Sequence, residues 1–141
     1  MNSTDKTSIT VEATIDAPVE KVWALWTGAE HITQWNNASD DWHTPSAVND
    51  LRAGGQFNFR MAARDGSMAF DFEGVYDEVK THEKIAYTIG DGRKVRILFS
   101  ANGHSTKVVE TFEAEHMHSL EMQRAGWQAI LDNFKKYVES N

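Results

Sequence analysis

The stretch Met122–Phe134, MQRAGWQAILDNF, decides the fold. Its apolar residues recur at helical spacing, and the pattern predicts one long amphipathic helix from about Ser119 to Glu139. The predicted inner stripe of this helix consists of Leu120, Trp127, Ile130, Leu131, Phe134 and Val138. Because this is the one long segment with a 3.6-residue period, we expect the other elements to pack around it.

Gly126 stands directly before Trp127 in the middle of this helix, where glycine costs about 1 kcal/mol relative to alanine. Two explanations are open. A neighbouring strand or short helix could approach the bare backbone closely, or the missing side chain could leave cavity volume beside Trp127. We favour the close approach, because a glycine inside a helix most often has a packing reason.

The residues before the helix predict an antiparallel sheet. Ser8 to Ile15 alternates between apolar and polar residues, and the alternation resumes after Gly55 and continues to about Ala114. Asp-Gly at 65–66 and 91–92, and Asn-Gly at 102–103, are tight hairpin turns. Five or six strands connected in this way form a meander rather than a parallel sheet.

Two short helices are predicted between the first strand and the meander. Pro18 suits the first position of one helix and Gly28 its end, while the second spans roughly Ala29 to Trp35. The polar residues 38–49 are expected to form a loop that enters a strand near Ala47 to Leu51. The order β-α-α-β(5–6)-α predicts an α+β fold, in which a curved antiparallel sheet grips the long C-terminal helix.

Composition excludes several classes of protein. A length of 141 residues suits a single domain, 1–141, with residues 1–7 as a loose tail. The net charge of -7 argues against a nucleic-acid partner. The polar N-terminus lacks a signal-peptide core, and no apolar stretch approaches the ~20 residues of a membrane span. A cytoplasmic protein is therefore expected.

No metal ion or cofactor is expected. The chain has no cysteine, and its six histidines do not form the i, i+4 pair of a helical metal site. The histidines are His31, His43, His82, His104, His116 and His118. His116 and His118 could chelate weakly, but a solvated loop is the expected setting for both. The glycine pairs lack a phosphate-loop pattern, and no serine or threonine lies in a nucleophile-elbow motif.

The aromatic residues are the best candidates for a binding site. Five Trp, seven Phe and three Tyr are more than a core of this size needs. The candidate ligand-binding residues are Trp35, Trp42, Phe57, Phe59, Phe70, Phe72, Tyr87, Phe99, Gln123, Trp127 and Ile130. Aromatic residues on strand faces are often plain core, whereas ligand pockets are apolar with a few polar groups. We expect core at one end of the molecule and a pocket at the other.

Glu110 is the candidate acid or base, and its position depends on the register of its strand. If Val108 and Phe112 point inward, Glu110 points inward with them and its pKa is raised by burial. If Val109 and Thr111 point inward instead, Glu110 is solvated. We favour the solvated position, because glutamate is rarely buried without a partner.

Three segments carry a family resemblance: IDAPVEKVWALWT at 15–27, GGQFNFRMAARDGSMAFDFEGVY at 54–76 and AGWQAILDNFKKYVE at 125–139. Together with the order of elements, they resemble the START-like helix-grip (SRPBCC) superfamily, and within it most closely the heat-shock-protein ATPase-activator homologues. The resemblance covers nearly the whole chain from about Ile9. It implies a cavity between sheet and long helix, often used for an apolar ligand, but it implies no single chemistry.

The leading hypothesis is a non-enzymatic module that binds a small apolar or aromatic molecule between the sheet and the helix. One alternative is a cyclase- or hydrolase-type enzyme that uses the same cavity with a buried carboxylate. Another is a co-chaperone-like domain whose surface interacts with a chaperone. A carboxylate paired with His or Tyr inside the cavity would favour the enzyme, and a filled core would favour the interaction module.

Overall fold

The computed structural model describes residues 7–141, so the predicted tail lies outside the described residues except for Thr7. Seven strands and three helices follow the predicted order, with six strands after the two short helices. The elements are β1 (Ser8–Ile15), α1 (Val19–Thr27), α2 (Ala29–Trp35), β2 (Trp42–Asn49), β3 (Gln56–Ala63), β4 (Ala69–Lys80), β5 (Lys84–Ile89), β6 (Lys94–Asn102), β7 (Ser105–Glu113) and α3 (Leu120–Glu139).

The seven strands form one curved antiparallel sheet in the order β1-β7-β6-β5-β4-β3-β2. Gly66, Gly92 and Gly103 adopt positive φ angles of 81°, 95° and 64° at the three predicted turns. Glycine adopts this backbone conformation without steric cost, so these turns connect their strands tightly. The predicted α+β helix-grip fold is confirmed.

Three local predictions differ from the structure. β2 spans Trp42–Asn49, so most of the predicted loop is strand. Its polar sequence and Pro45 fit the outermost position in the sheet, where an edge strand tolerates proline. Pro18 precedes α1 as its N-cap rather than opening it. Leu120 is 46% exposed and lies outside the buried stripe of α3, because Gln123 is the first residue of the helix to turn inward.

The C-terminal half of α3 anchors the helix in the core. Leu131, Phe134 and Val138 are fully buried. The ring of Phe134 meets Trp26 of α1 and Trp35 of α2, each at a centroid distance of 4.8 Å in an edge-on arrangement. Such aromatic pairs add about 0.5–1.5 kcal/mol beyond the area they bury. This cluster fixes α3 against both short helices.

The N-terminal half of α3 stands away from part of the sheet. The helix packs on β1 at one edge of the sheet, whereas its backbone makes at most marginal contact with β3, β4 or β5 within the described chain. Trp127 fills part of the gap, because its ring stacks on Phe112 of β7 at 3.9 Å with an interplanar angle of 9°. Its edge then faces Phe72 of β4 at 6.2 Å. The gap between these elements is the cavity described below.

Gly74 of β4 gives the sheet its close packing beside this gap. A Cβ at Gly74 would lie 2.4 Å from the carbonyl oxygen of Thr88 and 2.9 Å from the ring of Phe57. The absent side chain therefore lets the Phe57 ring lie across β4. Gly90, by contrast, would place a Cβ no closer than 3.8 Å to any neighbour, which is ordinary contact.

We predict that Gly74→Ala destabilises the protein by about 1–3 kcal/mol, because the new methyl group overlaps a backbone atom that cannot move freely. The matched control Gly90→Ala is expected to change the free energy of unfolding far less. Urea denaturation of both variants measures the difference. Equal stabilities for the two variants would contradict the close packing at Gly74.

Candidate functional site

A cavity of about 450 Å³ lies between the N-terminal half of α3 and the concave face of the sheet. Binding pockets for small molecules usually enclose about 300–1,000 Å³. Its walls are formed by Trp26, Ile32, Trp35, Asn36, Phe57, Phe59, Met61, Phe70, Phe72, Tyr76, Ile85, Tyr87, Arg93, Glu110, Glu115, His118, Met122, Gln123, Gly126, Trp127 and Ile130. The Trp26–Trp35–Phe134 cluster separates this cavity from the solid core around the C-terminal half of α3.

Gly126 faces this cavity, so the expected close approach of another element is wrong. A Cβ built on Gly126 meets no atom within 4 Å outside its own helix backbone and chain neighbours. The residue lines the cavity beside Trp127 and Ile130. The missing side chain therefore leaves volume open, and the helix forgoes about 1 kcal/mol of helix propensity at this position.

Most of the candidate aromatic residues come together around the cavity. Phe57 lies at the centre of the sheet wall, with ring centroids 5.0 Å from Phe59, 5.8 Å from Phe72 and 4.8 Å from Tyr87. Phe70 also lines the cavity, although 46% of its surface is exposed. Strand alternation places these side chains on one face, and the pairing of β3 with β4 sets Phe59 directly opposite Phe72.

Two of the candidate residues lie elsewhere. Phe99 is buried in the core, where its ring packs against Trp23 at 5.1 Å and Trp26 at 5.9 Å. Trp42 is not among the residues that line the cavity; it lies on the edge strand, with its ring 5.9 Å from that of Phe70. Sequence pattern alone could not identify either position, since Phe99 alternates as the lining phenylalanines do and Trp42 falls in the predicted loop.

Glu110 points into the cavity, so the favoured solvated position is wrong. β7 buries Thr106, Val108, Glu110 and Phe112 on its concave face, and only 6% of Glu110 is exposed. Its neighbours across the two adjacent strands are Val11 and Ile97, neither of which can bond to a carboxyl group. No hydrogen bond or ion pair to this carboxyl group is found within residues 7–141.

Burial raises the pKa of Glu110 from an ordinary 4.5 to about 8, because the apolar surroundings penalise the charged form. At neutral pH the side chain is therefore mostly a neutral carboxylic acid, able to donate a hydrogen bond. Burial also raises the pKa of Tyr87, with a smaller contribution from the nearby Glu110. The pKa of Tyr76 is raised by burial as well, although its hydroxyl donates to Asn49. The cavity thus holds three neutral hydroxyl-bearing groups.

Gln123 holds the loop at the N-terminal end of α3 and has no donor left for a ligand. Its Oε1 accepts from the backbone N–H of Glu115 at 2.9 Å. Its Nε2 donates to the backbone carbonyls of Glu115 at 3.1 Å and His118 at 2.9 Å. His118 in turn bonds to the Glu115 carboxylate at 3.0 Å, which lowers the pKa of Glu115. As expected, His116 and His118 are exposed in this loop.

Several lining residues carry no sequence signal of their own. Trp26 belongs to the apolar pattern of a helix, Met61 and Tyr76 belong to the alternating patterns of strands, and Arg93 lies beside a turn. Asn36 ends α2, and its side-chain Nδ2 is buried without a hydrogen-bond partner. The pairing of strands and the tilt of α2 bring these residues to one cavity, and neither can be deduced from local spacing.

The chemistry available in the cavity is limited. No Ser, Thr, Cys or Lys is among the described lining residues, so the aliphatic hydroxyl, thiol and amine nucleophiles are missing from these walls. Within residues 7–141, no three His, Asp or Glu side chains are grouped so as to hold a metal ion. Likewise, no helix in the described chain is long and apolar enough to cross a membrane.

Comparisons with known proteins agree with this geometry. Residues 16–139 match the model of the family described as "Activator of Hsp90 ATPase homolog 1-like protein". The chain belongs to this family. A solution structure of an AHSA1-like protein from Aeromonas hydrophila is 45% identical, with a TM-score of 0.89 over 95% of this chain and 93% of that one. No curated protein matches the chain.

Two further solved structures show how widely the AHSA1-like architecture extends. A solution structure from Cytophaga hutchinsonii is 57% identical, with a TM-score of 0.83 over 95% of this chain and 93% of that one. A Nitrosomonas europaea protein shares the fold with a TM-score of 0.83 over 99% of both chains, at only 18% identity. The latter likeness concerns the fold alone.

We predict that Glu110→Gln stabilises the protein increasingly as the pH rises from about 4.5 to about 8. The native carboxyl group keeps its proton in this window while the unfolded chain loses it, so the wild type loses stability as the pH rises. The difference between the two proteins should grow by up to about 1.4 kcal/mol per pH unit and level off above the native pKa.

Thermal or urea unfolding over this pH range measures the difference, with Glu83→Gln at an exposed position as the control. The other titratable groups that face Glu110 across the cavity are Tyr76, Tyr87, Arg93, Glu115 and His118. All of them are present in both proteins and cancel in the comparison. A difference that stays constant with pH would contradict the buried position of Glu110.

Proposed function

We propose that this AHSA1-like chain binds a small apolar or aromatic molecule in the cavity between α3 and the sheet. The observation that carries the proposal is Gly126, which lies in the middle of α3 and faces open cavity volume. An alanine or leucine here would favour the helix and fill the space. A protein that needed only a filled core would gain from either substitution.

The lining supports a binding role. It combines aromatic walls with a few polar groups, which is the usual composition of a ligand site. The carboxyl group of Glu110 has no hydrogen-bond or ion-pair partner within residues 7–141, although the residue is only 6% exposed. Leaving a buried polar group unpaired costs about 1–3 kcal/mol, and a ligand that bonds to it offsets that cost.

An enzyme that uses Glu110 as a general acid is the second candidate. It is favoured by the proximity of Glu110 to Tyr87, which is close enough for its charge to raise the tyrosine pKa. The described lining has no Ser, Thr, Cys or Lys, and the raised pKa values of Tyr76 and Tyr87 keep both hydroxyls protonated, which favours binding over covalent catalysis. A surface interaction with a chaperone needs no cavity, so the 450 Å³ space gives it no support.

The test is a titration with prodan, an uncharged dye whose fluorescence shifts to shorter wavelength in apolar surroundings. We expect saturable binding to the wild type and at least about tenfold weaker binding to Gly126→Leu, because the leucine occupies ligand volume. Its thermal stability should stay equal to or above that of the wild type, since leucine favours the helix.

The matched control is Ala125→Leu, which places the same side chain one residue earlier on the exposed face of α3. It is expected to bind prodan like the wild type. Native mass spectrometry of the purified protein provides an independent view by detecting any small molecule that co-purifies. If prodan does not bind, or binds equally to all three proteins, the cavity is not a binding site.

A further inference from the structure

Not every ionisable side chain that lines the cavity has a partner of opposite charge. Arg93 is the one Lys or Arg among the described lining residues, and its Nε already donates to the Asp91 carboxylate at 2.8 Å. Its Nη1 donates to the backbone carbonyl of Glu113 at 3.4 Å. Glu115 is likewise satisfied by the ring and backbone N–H of His118. Glu110 remains as the acidic group that no described residue neutralises.

The walls around this acid consist mainly of aromatic rings in several orientations. Phe57 and Tyr87 meet at 74° and Phe72 and Trp127 at 77°, whereas Phe59 and Phe72 lie at 29° to one another. A box of rings in such different orientations offers a ligand both ring edges and ring faces. Ring faces attract organic cations within about 6 Å of the centroid, by up to about 2 kcal/mol where water is excluded. A carboxylate inside an aromatic box is the chemistry that recognises a protonated amine.

From this arrangement we infer that the ligand is an apolar or aromatic amine, whose ammonium group pairs with Glu110 while its apolar body fills the space beside Gly126. The inference rests on the proposed function, since it names the ligand class of the same cavity. The ammonium group enters with its own proton, and Glu110 releases its proton to solvent, so the bound pair is carboxylate and ammonium. One charge-assisted hydrogen bond then replaces a buried acid that has no partner.

A neutral ligand would interact less strongly with Glu110 and with the aromatic rings. A carbonyl or alcohol oxygen could accept one hydrogen bond from protonated Glu110, but it would draw no attraction from the ring faces. An anionic ligand would bring a second negative charge to Glu110, with Arg93 already engaged by Asp91. The net charge of -7 for the whole chain also favours the approach of a cation over an anion.

The experiment compares two probes with the same ring, naphthylmethylamine and naphthylmethanol, by titration calorimetry at neutral pH with wild type and Glu110→Gln. We expect the amine to bind the wild type at least about tenfold more tightly than the alcohol. Glu110→Gln should remove most of that preference. The wild-type comparison alone also tests the inference, whatever the stability of the variant.

The release of a proton gives a second readout. Between about pH 6 and pH 8, amine affinity for the wild type should rise with pH, by up to about tenfold per unit below the pKa of Glu110, while alcohol affinity should not. The other ionisable groups at the cavity are Tyr76, Tyr87, Arg93, Glu115 and His118, and Glu110→Gln retains all of them. A rise that persists in Glu110→Gln would assign the effect to another group and overturn the role of Glu110.

The amine inference and the proposed binding function can be disproved separately. If the alcohol binds as tightly as the amine, and Glu110→Gln weakens both equally, the amine inference is overturned while the cavity remains a binding site. If neither probe binds and prodan does not bind either, the proposed function fails, and the inference fails with it.

Discussion

The stack of Trp127 on Phe112 sets the distance between α3 and the sheet. The two rings are nearly parallel, at 9°, and their centroids are 3.9 Å apart. The Trp127 ring therefore lies between the N-terminal half of the helix and β7 and keeps them apart. The C-terminal half has no such spacer, and there Leu131, Phe134 and Val138 reach full burial. One helix therefore contributes both a solid core and the roof of a cavity.

The cavity matters chemically because it places an acid among apolar side chains. Glu110 occupies an inward position of β7 that would suit valine or phenylalanine, and its burial favours the neutral form by raising the pKa from 4.5 to about 8. A side chain of this kind destabilises the free protein at neutral pH and becomes favourable when a ligand supplies a partner. The aromatic rings around it add the apolar contacts and ring faces that hold such a ligand.

Much of this architecture could be predicted from the sequence. The apolar residues recur every second position in the strands and at helical spacing in the long helix, and the turn residues are unambiguous. β1 and α2 were predicted to the residue, and the three glycine turns were predicted in place. β2 was predicted only from about Ala47 onward, since an edge strand has few apolar contacts and the polar sequence of its first half resembles a loop. The predictions for Glu110 and Gly126 were wrong for one reason. Glutamate is usually exposed to solvent and a glycine within a helix usually allows another element to approach, but a residue that lines a cavity follows neither tendency.

The sequence also could not show which aromatic residues line the cavity and which lie in the core. Phe57 and Phe99 look equivalent in the sequence, yet one lines the cavity and the other lies in the core against Trp23 and Trp26. The difference depends on where α1 and α2 cover the sheet, which is a tertiary property. The proposed binding site therefore depends most on one local feature, the burial of the Glu110 carboxyl group among apolar side chains. An NMR titration of its side-chain carboxyl carbon measures this directly: we predict a midpoint near pH 8, and a midpoint near 4.5 would contradict the account.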